Sequence, residues 1–114
     1  MHTIINTSKG IYVCGNNSCG QLGLGHNNDE HKLTQLMTNS KIRQIVTCDN
    51  VTIILEYNDN MLGFGSNLYN KLNIKEEYIN IPTYIPFDKK VKYVSGCRYH
   101  IIIFINDLIN QFFY

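Results

Sequence analysis

Apolar residues along this chain come in short runs, each cut by Gly, Asn, Asp or Pro, and that punctuation predicts short strands. The fullest set is Ile42 to Thr47, Thr52 to Glu56, Met61 to Phe64, and Thr83 to Pro86. Between the second and third runs, Tyr57-Asn58-Asp59-Asn60 has the Asn and Asp that a tight hairpin uses. Pro82 and Pro86 bracket the fourth run, and because proline cannot donate to a ladder, that run reads as an outer, edge-like strand. Ahead of this set, an apolar run leads into Cys14-Gly-Asn-Asn-Ser-Cys-Gly-Gln-Leu-Gly-Leu-Gly25, with four glycines in twelve residues. Glycine reaches positive φ and admits close backbone approach, so this stretch predicts a sharp exit from a buried strand into an exposed connection. Leu33 to Met37 then takes the place of the outer strand, after a polar link through His26, Asp29, Glu30 and His31.

The runs repeat. Ile42-Arg-Gln-Ile-Val-Thr-Cys48 resembles Val91-Lys-Tyr-Val-Ser-Gly-Cys97, 49 positions on, and each cysteine precedes an apolar strand led by Val51 or His100. His2 falls a further two such steps back from His100. The glycine stretch recurs with a shift of 50: Gly15-Asn16-Asn17 corresponds to Gly65-Ser66-Asn67 beside Gly63, and Gln21-Leu22-Gly23-Leu24 corresponds to Lys71-Leu72-Asn73-Ile74. The repeat signature is therefore Gly15, Asn16, Asn17, Gly20, Gln21, Leu22, Gly23, Gly25, Gly63, Gly65, Asn67, Cys48, Cys97 and His100. Residues 1–41 read as a partial first repeat, 42–90 as a second and 91–114 as the start of a third, all within a single repeat domain.

Composition agrees with strands. The 114 residues contain no Ala and no Trp and draw their apolar content from Ile, Tyr, Val, Leu and Phe, which fit a pleated surface, so the expected class is all-β. A net charge of +1 gives no field to steer the chain onto nucleic acid or anionic lipid. The start lacks the basic-then-apolar pattern of a secretion signal, and the longest apolar run, Ile101 to Ile105, is too short to span a bilayer. An intracellular chain with four free thiols is expected.

Candidate chemistry is sparse. Cys14, Cys19, His26 and His31 supply zinc-type ligands, yet their spacing matches no familiar finger, and Cys14 stands where the next copy has Phe64, so no metal or cofactor is expected. Cys97 and His100 have the form of a thiol with its base, but the other copy has Cys48 with Val51, so a structural role is expected and no catalytic residue is assigned. Lys89, Lys90 and Lys92 with Tyr93 form a small basic cluster, read with Asp88 as a solvated turn.

The segment Gly15 to Gly25, together with Val91 to Phe104, resembles the repeats of the regulator of chromosome condensation family. The resemblance departs at Cys14 and Phe64, where that family often has tryptophan, and at Val51, where it often has histidine. It implies blades of a β-propeller, and hence about two four-stranded antiparallel blades, a partial propeller. About two and a third units fall short of the four or so blades of the smallest rings. That shortfall predicts uncovered blade faces and self-association or a protein partner that completes them. Two functions follow from the resemblance: a non-enzymatic protein-interaction module, or guanine-nucleotide exchange on a small GTPase. A decayed repeat fragment without selected activity is a third alternative.

Overall fold

The computed structural model describes residues 1–37, 41–68, 72, 74–87, 91–97, 100–105 and 111–113; at Cys97, His100 and 111–113 the description is of the backbone. Lys71, Asn73, Asp88, Lys89 and Lys90 lie outside the described residues. Ten strands and no helix make up that part of the chain: β1 His2–Thr7, β2 Gly10–Gly15, β3 Glu30–Met37, β4 Ile42–Cys48, β5 Val51–Glu56, β6 Met61–Ser66, β7 Tyr78–Tyr84, β8 Val91–Cys97, β9 His100–Ile105 and β10 Gln111–Phe113. They form three antiparallel sheets, β1-β2-β3, β4-β5-β6-β7 and β8-β9-β10, called here the first, second and third blades.

Strand registers locate the repeat within the sheets. His2 pairs with Gly15 as Val51 pairs with Gly65, so β1 and β2 are the counterparts of β5 and β6. Likewise Cys48 pairs with Val51 and Cys97 with His100, each pair closing a hairpin. The difference between the 49- and 50-residue shifts has a physical location. Thr7 pairs with Gly10 across the two residues Ser8-Lys9. In the second blade the Glu56 amide bonds to the Asn60 carbonyl across three residues, with Asp59 at φ 70. A left-handed third residue is the usual mark of that longer hairpin.

The outer strands differ from expectation. β3 begins at Glu30, so Glu30 and His31 belong to the strand, and β7 spans Tyr78–Tyr84, starting five residues before the Thr83-to-Pro86 run and ending two before its end. The cause is a bulge in each: Gly15 and Val13 face Glu30 and Thr34, while Gly65 and Gly63 face Ile79 and Thr83. Two residues on the inner strand thus oppose four on the outer one, which breaks the alternation that marks a strand in sequence. Pro82 sits within that bulge, where its missing N–H costs no ladder bond.

The core follows β5 and β6. Every residue of β5 is buried, and one apolar cluster joins Ile53, Ile54, Leu55, Phe64 and Leu72 to Val91, Val94, Ile101 and Ile103 of the third blade, with Ile11 from the first.

Candidate interaction surface

Two buried asparagines hold the glycine segments in shape. Asn17 is fully buried; its Nδ2 donates to the carbonyls of His26 (2.8 Å) and Asn28 (2.9 Å), and its Oδ1 accepts the Leu22 N–H (3.0 Å). Asn67 repeats this on Ile74 (2.5 Å), Glu76 (2.8 Å) and Leu72 (2.9 Å). In each copy one side-chain amide satisfies three backbone groups that would otherwise be buried without partners. Leu22 and Leu72, presented by these bonds, are fully buried. From Asn to Leu the spacing is the same in both copies; the carbonyls that follow come two residues sooner relative to Leu in the second, so that loop is shorter.

The glycine segment is not an exposed exit. Gln21 is fully buried, with Nε2 donating to Asn16 Oδ1 (3.1 Å) and Asn50 Oδ1 (3.3 Å) while Oε1 accepts the Cys19 N–H (2.9 Å). Asn50 belongs to the β4–β5 turn, so Gln21 ties the first blade to the second. The Thr52 hydroxyl donates to the Gln21 carbonyl (2.8 Å), and His2 Nε2 lies 2.8 Å from the same hydroxyl oxygen. Because the hydroxyl proton is spent on Gln21, His2 must donate, which places its proton on Nε2. Burial, reinforced by the Met1 amino group, pushes the His2 pKa below 6.5.

Further out, Gly25 N–H donates to the Asn80 carbonyl (2.8 Å) and Asn80 Nδ2 to Asn27 Oδ1 (2.9 Å). At Gly20, φ is +80 and a Cβ would stand 2.7 Å from the Asn80 Cα, so only glycine fits there. Gly23 lies on the Phe64 ring. The β7 bulge therefore receives the first blade's loop. Gly65, at φ +112, has the Asn50 carbonyl where a Cβ would go, and the same close approach brings Ser66 N–H to that carbonyl (2.9 Å). Gly15 is its counterpart, with Asn16 N–H on the Met1 carbonyl (3.0 Å). Gly63 leaves room for Ile85 and Leu72.

Between the second and third blades the tie is different. The Gln44 side chain donates to the Val94 carbonyl (2.6 Å) and accepts the Val94 N–H (2.9 Å), and Arg43 donates to the Val91 carbonyl while pairing with Asp59 at 3.1 Å.

Among the described residues no three His, Cys, Asp or Glu side chains converge to hold a metal ion. Of the zinc-type series, His26 Nδ1 accepts the Asn28 N–H (3.0 Å) and its Nε2 lies 3.4 Å from Glu30 Oε1, while Cys14 and Cys19 are half-buried free thiols. Cys48 is buried. The side chains of Cys97 and His100 lie outside the description. Lys92 is exposed on β8, beside Tyr93, which stacks on Phe104 at 4.3 Å.

Part of the open surface is apolar. A cleft of about 810 Å³ runs between the outer strands, floored by Gly23, Leu24 and Gly25 and walled by Leu36, Met37 and Ile81. Tyr78, Ile81 and Tyr84 of β7 are exposed. Sequence reasoning missed this surface, because the bulge that sets which β7 residues face outward leaves no alternation to read.

One four-stranded and two three-stranded antiparallel sheets, joined by such loops, define a propeller-type repeat protein. Residues 10–55 match the model of the Regulator of chromosome condensation (RCC1) repeat. The matched segment runs from β2 through the glycine loop and β3 into β5, so the sequence unit straddles two blades and includes the seam between them. The chain is 36% identical over 76 residues to the bovine "Secretion-regulating guanine nucleotide exchange factor", covering 64% of this chain and 16% of that protein. It is 31% identical over 108 residues to the mouse "RCC1-like G exchanging factor-like protein", covering 84% of this chain and 23% of the relative. Among solved structures it resembles yeast RCC1 (Prp20) bound to Kap60, with TM-score 0.79 and 19% identity over 93% of this chain and 28% of that one. The chain thus spans less than a quarter of the length of these two curated relatives. No helix among the described residues is long and apolar enough to cross a membrane.

Proposed function

We propose that this chain is a non-enzymatic, intracellular protein-binding module that engages its partner through the outer strands of its blades. The observation that supports this most is the run Tyr78, Ile81, Tyr84, exposed along β7 beside the apolar cleft. The buried polar side chains of the glycine loop, Asn17 and Gln21, are by contrast spent on partners within the fold. Aromatic and aliphatic side chains that remain exposed beside a cleft are the usual anchors of a protein contact. Self-association belongs to the same reading, since one blade does not bury its apolar face alone. Light scattering checks that part: a monomeric mass at all concentrations rejects it.

A second reading is favoured by the relatives' printed names, two of which describe guanine-nucleotide or G exchanging factors. Fold does not carry activity by itself. Release of labelled nucleotide from a panel of small GTPases, with and without the chain, separates the two. Acceleration supports exchange; binding without acceleration supports the module alone. Ile81→Asp is expected to weaken partner binding at least about tenfold while leaving the unfolding midpoint nearly unchanged, as the side chain is 59% exposed.

A further inference from the structure

The first blade meets the second mainly through a loop, whereas the second meets the third strand against strand, through β4 and β8. Apart from Gly23, which lies on the Phe64 ring, the loop contacts are polar or backbone-to-backbone: Gly25 to Asn80, Asn27 to Asn80, Gln21 to Asn50 and the Gln21 carbonyl to Thr52, with His2 of β1 on the same hydroxyl. From the first blade only Ile11 enters the shared apolar cluster fully buried, with Ile4, Leu36 and Met37 partly buried against it. Val13 and Leu22, although fully buried, stand outside that cluster. On the other side, Val91, Val94, Ile101, Ile103 and Ile105 of the third blade all belong to it.

From this asymmetry we infer that the loop spanning residues 16–28 is a latch, and that the first blade with its latch opens from the second as a unit while the second and third stay joined. Contact area decides which boundary opens first, because a seam closed by hydrogen bonds and few fully buried apolar side chains gives up less on opening than one closed by many. Opening uncovers the Phe64 ring, on which Gly23 lies, and the inner wall of the cleft between β3 and β7. The latch is thereby a device for exposing an apolar surface without unfolding the chain.

Native-state hydrogen exchange on the whole chain tests this. The Gly25 amide and the amides of β1–β3 are expected to share one opening, less protected than that of Ile53, Ile54 and Leu55. Asn27→Ala, which removes the bond to Asn80 and a loop-internal bond to the Ser18 carbonyl but nothing from the core, is expected to lower protection of the first group about fivefold with β5 unchanged. Gly20→Ala, which drives a Cβ into Asn80, is expected to do so more strongly. Exchange of β1–β3 together with β5 in a single global opening overturns the inference. So does an equal loss of protection in both groups with Asn27→Ala, the variant that decides if Gly20→Ala does not fold.

Discussion

The two seams use the same repeat positions for opposite chemistry. In the first, His2 and Thr52 stand together in a polar relay that ends on the Gln21 carbonyl. Forty-nine residues on, those positions hold Val51 and Ile101, 0% and 1% exposed, both within the apolar cluster. Meanwhile the asparagine that organises each blade's own loop, Asn17 or Asn67, makes the same three bonds in both copies. Repetition preserves what a blade needs internally, and variation falls on what joins it to its neighbour. The reason is that a loop's backbone groups must be satisfied in one geometry, while a seam between sheets can be closed by any complementary pair of surfaces.

Breaking the shared core is the harshest way to challenge this comparison. Phe64 is fully buried and lies under Gly23, so Phe64→Ala is expected to cost about 3–5 kcal/mol by urea unfolding. Next come the two asparagines. Asn17→Ala and Asn67→Ala each leave a buried N–H and two carbonyls without partners, and a loss of about 2–3 kcal/mol is expected for either. A gap larger than about 1 kcal/mol between the two, measured under the same conditions, would show that the copies are not energetically equivalent. Gln44→Ala probes the other seam alone: it removes both bonds to the Val94 backbone, and about 1–2 kcal/mol of stability is expected to go with them.

Smallest is the pH effect, confined to the first seam because Val51 cannot titrate. The His2 pKa is lowered in the folded chain, so the unfolded chain takes up its proton first. Stability from this group is present above pH 6.5 and is lost as pH falls through the lower folded value. His2→Gln keeps a donor for Thr52 without a titrating ring, and its thermal midpoint is expected to fall less than that of the natural chain between pH 7.5 and 5. Equal slopes would remove His2 from the account.

Much of the fold was legible. The hairpin β5–β6 announced itself by an apolar run, an Asn/Asp turn and a second apolar run, and the glycine signature led to the repeat that residues 10–55 match. The outer strands were misplaced because a bulge of two extra residues spoils alternation, and because Pro82 looks like a strand boundary until the bulge is seen. The candidate surface was invisible for the same reason, since exposure of Tyr78, Ile81 and Tyr84 depends on where the bulge turns the chain.

Sequence alone determined the class of element and the repeat, because β-branched runs and glycine corners act over neighbours a few residues apart. Tertiary structure alone decided what the glycine segment does: whether its polar side chains meet water or the next sheet. Gly20 meets Asn80, Gln21 meets Asn50, and His2 meets Thr52, partners 29 to 60 residues distant that no local pattern encodes. A short-range pattern records that a residue must turn or be buried; only the packed chain supplies the surface against which it does so.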